Sequence, residues 1–111
     1  MQYLLLMSAV EETAEEDMRD ERVPTFGAWL SDLNRRGVLR AHVGLHPSPT
    51  ATTVRVRGDE VLLTDGPYLE AKEQIGGLAL IECRDLDEAV DIAAGHPAAT
   101  IGQVEIRPVR E

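Results

Sequence analysis

The chain has 111 residues, and its 20 acidic and 11 basic side chains give a formal net charge of −9. This length predicts a single domain, residues 1–111, because a domain typically takes about 150 residues. The apolar fraction of 43% is ordinary for a folded protein and excludes a disordered chain. The negative charge argues against nucleic-acid and anionic-membrane partners. The single cysteine, Cys83, excludes an intrachain disulfide framework.

The N-terminal run at residues 2–8 is apolar and predicts a buried strand. It has no basic residues before it, and acidic residues follow at once, which is not the pattern of a secretory signal. No run approaches the roughly 20 apolar residues of a membrane-spanning helix. We therefore expect a cytoplasmic protein.

Residues 11–22 carry seven acidic side chains and predict a solvated loop or helix face. An apolar face at Phe26, Trp29, Leu30 and Leu33 then predicts a helix over residues 24–36. Gly37 is suited to end it, because glycine readily adopts the left-handed conformation after a helix.

The middle of the chain reads as extended structure. Residues 38–45 predict a strand, and two prolines at positions 47 and 49 then require a loop. Residues 52–57 and 60–64 predict a hairpin that turns at Gly58-Asp59. Asp65-Gly66-Pro67 ends the hairpin.

The C-terminal part repeats the strand and helix alternation. Residues 77–83 predict a strand, and Gly76-Gly77 before it favours a β-bulge or a close backbone approach. Asp85 and Glu88 resemble a capping box at the start of a helix that His96-Pro97 ends. Residues 101–109 predict the last strand.

The elements therefore predict an α+β fold, ferredoxin-like βαββαβ with an added hairpin. Both helices of this plan lie on one face of the sheet. Apolar residues at alternating strand positions leave the other face to be covered, so we expect a homodimer that pairs face to face.

One segment resembles a known family. The run Asp65-Gly66-Pro67-Tyr68-Leu69-Glu70-Ala71-Lys72-Glu73 is similar to the D-G-P-[FY]-x-E-x-K-E core of the DGPF branch of the YCII-related proteins. The likeness includes residues 53–57 and 61–77 around this core and the first strand, and it continues through residues 81–82, 85–89, 97–99 and 102–108, so it covers nearly the whole chain. Tyr68 stands where phenylalanine is commoner, and Ala71 where threonine or serine is usual.

The resemblance implies a dimeric α+β barrel of ferredoxin-like subunits. Members of the family are often encoded beside extracytoplasmic-function sigma factors, so a sigma factor is a possible partner. Some relatives are thought to be enzymes that use a His–Asp pair in a cleft, and one related branch acts on chlorinated lactones.

Two residues are candidate catalytic groups. Asp65 follows a strand and precedes Gly-Pro, where a carboxylate facing a cleft would serve as a general acid or base. The alternative is an Asx turn, in which the carboxylate accepts hydrogen bonds from its own backbone. His42 lies on a predicted neighbouring strand and would complete a His–Asp pair; the alternative is an ordinary exposed histidine.

Four residues of the motif are candidate ligand-binding groups: Tyr68, Glu70, Lys72 and Glu73. Lys72 would hold an anionic group, and a glutamate would move a proton. The alternative is a set of surface ion pairs, each worth about 0–1 kcal/mol.

No metal or cofactor site is predicted. His42 and His46 would lie roughly 13 Å apart on a strand, too far for one metal ion. His96 before proline is explained by the dipole at a helix C-terminus, and Cys83 by burial as an inert thiol.

These observations favour a protein that binds a small organic molecule, with anions among the candidates, in a cleft near residues 65–73 and the dimer interface. Two alternatives stay open at this stage. One is a metal-free enzyme with Asp65 as general acid or base, and the other is an accessory regulator associated with a sigma factor.

Overall fold

The computed structural model describes residues 1–67 and 71–110. Within these residues the strands and helices follow one another as β1 (Gln2–Val10), α1 (Glu11–Asp17), α2 (Phe26–Arg36), β2 (Leu39–Gly44), a 3-10 turn (Ser48–Thr50), β3 (Thr52–Arg57), β4 (Glu60–Asp65), β5 (Glu73–Glu82), α3 (Leu86–Ala94), α4 (Pro97–Ile101) and β6 (Gln103–Pro108).

The described strands form two sheets. A four-stranded sheet has the order β2-β5-β1-β6, and every neighbouring pair in it is antiparallel. Strands β3 and β4 form a separate two-stranded hairpin. The order of the larger sheet is that of the βαββαβ plan, so the mixed α+β fold predicted from sequence is confirmed, with the hairpin inserted between β2 and β5.

The core lies between one face of the sheet and the helices. Alternate residues of β1 and β5 point to this face, among them the fully buried Leu5 and Ile81. They pack against Trp29 and Leu33 of α2 and against Ile92 of α3. The apolar spacing that predicts α2 therefore also selects the side chains that it buries.

The helix ends follow the capping residues in the sequence. The Thr25 side chain accepts a hydrogen bond from the Ala28 backbone N–H and starts α2 two residues later than predicted. Gly37 ends it at φ 69°. Asp85 accepts from the Glu88 backbone N–H at 2.9 Å and caps α3, as the capping pattern predicts.

Three features differ from the sequence prediction. The acidic run begins as helix α1 directly after β1, because its half-buried Glu11 and Ala14 turn toward the sheet. Strand β5 begins at Glu73 rather than residue 77, since residues 73–75 pair with the end of β1. A further short helix, α4, follows His96-Pro97.

Two glycines allow the sheet and its neighbours to approach closely. The register between β1 and β5 shifts opposite Gly76, which confirms the predicted β-bulge. A Cβ on Gly77 would lie 3.1 Å from the Val43 carbonyl oxygen, and one on Gly102 would lie 2.1 Å from that of Ser8. Gly102 thus lets the α4–β6 turn press against β1.

The outer face of the sheet carries the opposite set of apolar residues. Leu4 pairs with Leu80 and Leu6 with Leu78, and all four are half-buried. Val43, opposite Leu78 on β2, is 52% exposed. The described helices that contribute to the core lie on the other face. This surface is therefore apolar and uncovered in the single chain.

Cys83 is buried, as predicted, and burial raises the pKa of its thiol. Such a thiol stays protonated near neutral pH and is a poor nucleophile.

Over the residues that the structure describes, no helix is long and apolar enough to cross a membrane.

Candidate functional site

A cavity of about 340 Å³ lies between the helices and the bulged end of the sheet. Its floor comes from β1, β2 and β5, and its walls come from α1, α2 and α4 with the residues that precede them. The described residues that line it are Met7, Ser8, Ala9, Glu11, Ala14, Met18, Phe26, Trp29, His42, Val43, Gly44, Gln74, Gly76, Gly77, Leu78, His96, Pro97, Ala98 and Ile101. Most of these side chains are apolar, so the cavity suits an uncharged organic group.

Four rings stand against one another in the lining. Phe26 is central: its ring centroid lies 6.0 Å from Trp29, 5.7 Å from His42 and 5.8 Å from His96. Trp29 and His96 meet edge to face with centroids 4.7 Å apart and an angle of 84°. These distances are those of favourable aromatic pairs.

The buried Trp29 is fixed by its polar end as well as by packing. Its indole N–H donates a hydrogen bond to the Ile92 carbonyl oxygen at 2.8 Å. Because this carbonyl lies near the end of α3, the bond joins α2 to α3 beside the cavity. The ring wall is therefore held in place before any ligand arrives.

His96 is fixed by the start of α4. Its Nδ1 accepts a hydrogen bond from the Ala98 backbone N–H at 2.9 Å and caps this helix. An imidazole nitrogen that accepts carries no proton, so the proton of the neutral ring lies on Nε2. Burial lowers the pKa of His96 to about 4, and the ring is therefore neutral at pH 7.

This geometry corrects the prediction for His96. A favourable interaction with the C-terminal dipole of α3 would require a protonated, charged ring, whereas this ring is neutral and caps the next helix. The prediction overlooked α4 because the helix has only five residues. The signal was present in the sequence, since proline at the first helical position after a capping residue marks a helix start.

His42 forms the side of the cavity that lies on the sheet. It pairs with Ala79 of β5, so it points to the same face as the core residues. Its ring meets Phe26 edge to face at an angle of 76°, and the residue is otherwise exposed. The structure thus places the candidate His42 at the mouth of the cavity.

The charge at the cavity comes from α1. Glu11 lines it, and its carboxylate oxygens accept hydrogen bonds from the Ser48 backbone N–H at 2.9 and 3.1 Å. This contact ties α1 to the loop after β2. The cavity lining contains no lysine or arginine among the residues that the structure describes.

The other sequence candidates lie elsewhere or outside the described residues. Asp65 is exposed at the end of β4, opposite Thr52, and is not part of the cavity lining. Lys72 and Glu73 are also exposed and outside the lining. Tyr68 and Glu70 are not among the described residues.

The residue that follows the Asp65–Glu73 motif does line the cavity. Gln74, directly after Glu73, lines it and donates a side-chain hydrogen bond to the Ala71 carbonyl oxygen at 2.8 Å. The bulge at Gly76 and the close approach at Gly77 shape the adjoining floor. No group of three or more metal-ligating side chains occurs in the part of the chain that the structure covers.

The fold and this one-sided cavity define a small α+β domain, and comparison with known proteins identifies its family. The YCII-related domain matches residues 1–111, so the chain belongs to the YCII-related family. An uncharacterised protein of Rhizobium meliloti (strain 1021) is 38% identical over an alignment of 96 residues, with coverage of 81% of this chain and 75% of that protein.

A solved structure is similar as well. The 5-chloro-2-hydroxyhydroquinone dehydrochlorinase from Burkholderia phenoliruptrix AC1100, in complex with 2,5-dihydroxybenzoquinone, aligns with a TM-score of 0.54. The alignment covers 100% of this chain and 95% of the enzyme at 12% sequence identity. At this identity the likeness shows the shared fold.

Proposed function

We propose that this protein binds a small, neutral organic molecule with a planar ring in the cavity between the sheet and its helices. The observation that carries this proposal is the set of four rings that line part of a cavity of about 340 Å³, most of whose other lining residues are apolar. Small-molecule sites are typically concave and apolar, span about 300–1,000 Å³ and contain a few polar groups.

The cost of the cavity supports a ligand. The cavity opens to solvent beside the exposed His42, so its apolar walls face water, which is unfavourable. A domain of this size has little stability to lose. A molecule that covers these walls removes apolar surface from water and stabilises the folded state.

The chemistry of the ligand follows from the lining. Glu11 brings negative charge to the cavity and no described basic residue balances it, so an anion is disfavoured. We therefore propose a neutral ligand in place of the anionic one considered from sequence. The 2,5-dihydroxybenzoquinone bound by the structurally similar enzyme is a planar ring of suitable size, which supports the planar ring by analogy; its acidic hydroxyl groups give no support for the absence of charge, which rests on the lining alone.

A plug variant tests the site. Isothermal titration with acetophenone, a neutral aromatic ketone, should give saturable binding to the native chain. Ala14→Phe places a ring in the cavity from α1 and should abolish binding, whereas Ala28→Phe, at an exposed position of α2, should leave it intact. Equal binding by the two folded variants would contradict the proposed site.

We further propose that the chain forms a homodimer through the outer face of its sheet. Four half-buried leucines and the exposed Val43 leave an apolar surface there that water disfavours. Val43 and Leu78 belong both to this face and to the cavity lining, so the ligand site and the proposed interface share strands β2 and β5. Sedimentation should show a dimer at micromolar concentration, and Leu80→Glu should convert it to a 12.2 kDa monomer.

The enzyme alternative requires more than one chain. His42 and Asp65 lie on different sheets, and Asp65 is outside the cavity of its own chain. A His–Asp pair at the ligand would need the hairpin of a partner to carry its aspartate to the cavity. Simple binding predicts that Asp65→Asn leaves acetophenone affinity unchanged, whereas this alternative predicts a loss.

The association with a sigma factor and the cytoplasmic location rest on the sequence prediction. Copurification with a sigma factor encoded next to the gene would support the regulatory alternative. Its absence from the purified complex would remove the reason for considering it.

A further inference from the structure

We infer that His96 is the specificity-determining residue of the cavity: its Nε2–H donates a hydrogen bond to a carbonyl or quinone oxygen of the ligand. This inference rests on the proposed function and names the class of ligand that the site selects. Rings that carry a neutral acceptor are favoured over hydrocarbons of the same shape.

The first step is the position of the proton. Nδ1 is occupied, since it accepts the Ala98 backbone N–H at 2.9 Å. The neutral ring therefore donates only through Nε2. Because the cap of α4 holds this arrangement, the ring cannot exchange its donor and acceptor positions without losing the cap.

The second step is the space beside Nε2. Among the described residues, His96 makes no hydrogen bond besides that of Nδ1. In the same part of the chain, no polar side-chain atom is both fully buried and without a partner. Among these residues Nε2 therefore keeps contact with solvent, and the cavity is the space that the half-buried His96 lines.

The third step is rigidity. The T-shaped contact with Trp29 and the tilted contact with Phe26 hold the plane of the imidazole. Trp29 is in turn held by the Ile92 carbonyl oxygen. A donor fixed in this way loses little entropy on binding, which favours an acceptor at one position.

The fourth step is the choice of acceptor. The low proton affinity of the buried ring makes it a neutral donor rather than a cation, so no anion is required to balance it. Carbonyl and quinone oxygens accept such a bond and carry no charge. The aromatic or quinone ring that carries such an oxygen can pack against Phe26 and Trp29.

Two ligands of matched shape test the inference. Isopropylbenzene has nearly the outline of acetophenone, with a methyl group in place of the oxygen. In His96→Asn, the asparagine side chain still caps α4, because asparagine is among the best capping residues, but the donor at Nε2 is gone. His46→Asn, outside this cavity, is the control.

The affinity ratio of acetophenone to isopropylbenzene should fall about three- to tenfold in His96→Asn, the effect of one neutral hydrogen bond. It should stay unchanged in His46→Asn. An unchanged ratio in His96→Asn, with both ligands still bound, would overturn the inference and leave the proposed function intact. Failure of the native chain to bind either ligand would contradict the proposed function itself.

A measurement on the native chain keeps the inference testable if a variant unfolds. Imidazole ¹⁵N NMR should show the proton of His96 on Nε2, with the Nε2 signal shifting when acetophenone is added. A proton on Nδ1, or a signal that acetophenone leaves in place, would overturn the inference.

Discussion

Acidification should destabilise this protein through His96, and comparison with the His96→Asn variant separates this effect from that of the other titrating groups. In the unfolded chain the imidazole has its ordinary pKa near 6.5, and in the folded chain burial lowers the pKa to about 4. Between these values the unfolded state binds more protons. Stability is therefore lost as the pH falls below about 6.5 and stops changing through this residue below about 4.

The size of the effect follows from the same two values. A tenfold change in proton affinity corresponds to about 1.4 kcal/mol, so the whole interval between 6.5 and about 4 corresponds to about 3.4 kcal/mol. Because His96 is only half-buried and lines the cavity, water reduces this free energy. We expect about 1–2 kcal/mol between pH 7 and pH 4.5.

Urea unfolding of the native chain and of His96→Asn, each at pH 7 and at pH 4.5, measures the contribution of His96 to the loss of stability. Other titrating groups are shared by the two proteins, so their contributions cancel in the comparison. The stability of the native chain relative to His96→Asn should fall by the expected amount on acidification. If the difference in unfolding free energy between the two proteins stays constant across this pH range, the claim that His96 is a neutral, capping imidazole is refuted.

Two further predictions concern the packing around the cavity. Gly102→Ala should cost more than about 2 kcal/mol of unfolding free energy, because its Cβ would lie 2.1 Å from the Ser8 carbonyl oxygen. Gly27→Ala, with open space around it in α2, should instead stabilise by about 0.5–1 kcal/mol, and equal effects would contradict this account. Trp29→Phe should cost about 1–3 kcal/mol in urea unfolding, because a smaller ring packs less well in the core and the Ile92 carbonyl oxygen keeps only the Gly95 backbone N–H as donor. A cost below about 0.5 kcal/mol would show that the indole bond contributes little.

Local patterns in the sequence were sufficient for most of the fold. The spacing of Phe26, Trp29 and Leu33 predicts α2, and the Asp85 cap predicts the start of α3. Gly76 predicts the bulge. Each of these features depends on residues within one or two turns of chain, where periodicity and capping chemistry decide the structure.

The misplaced elements depend on contacts from distant parts of the chain. Glu73 and Gln74 are poor strand formers, yet they extend β5 because the end of β1 offers them a pairing partner. The acidic α1 lacks an evident apolar stripe, and its placement follows from the contact of Glu11 with the Ser48 backbone.

The candidate site was only partly predictable for the same reason. His42 was singled out and does line the cavity, but its neighbours there come from α2 and from the turn at His96. Nothing local in the sequence shows that these segments meet. The motif at residues 65–73 predicts a site at its own residues, but none of those that the structure describes lines the cavity, whereas Gln74, directly after the motif, does.

The most direct test of the central claim is an amide NMR titration of the native chain with acetophenone. Trp29 is the one tryptophan of the sequence, so a single indole N–H signal reports on the wall of the cavity. We predict saturable shifts of this signal together with the amides of Gly77 and Ala98. Shifts confined to residues 65–73, with the Trp29 signal unmoved, would contradict the account.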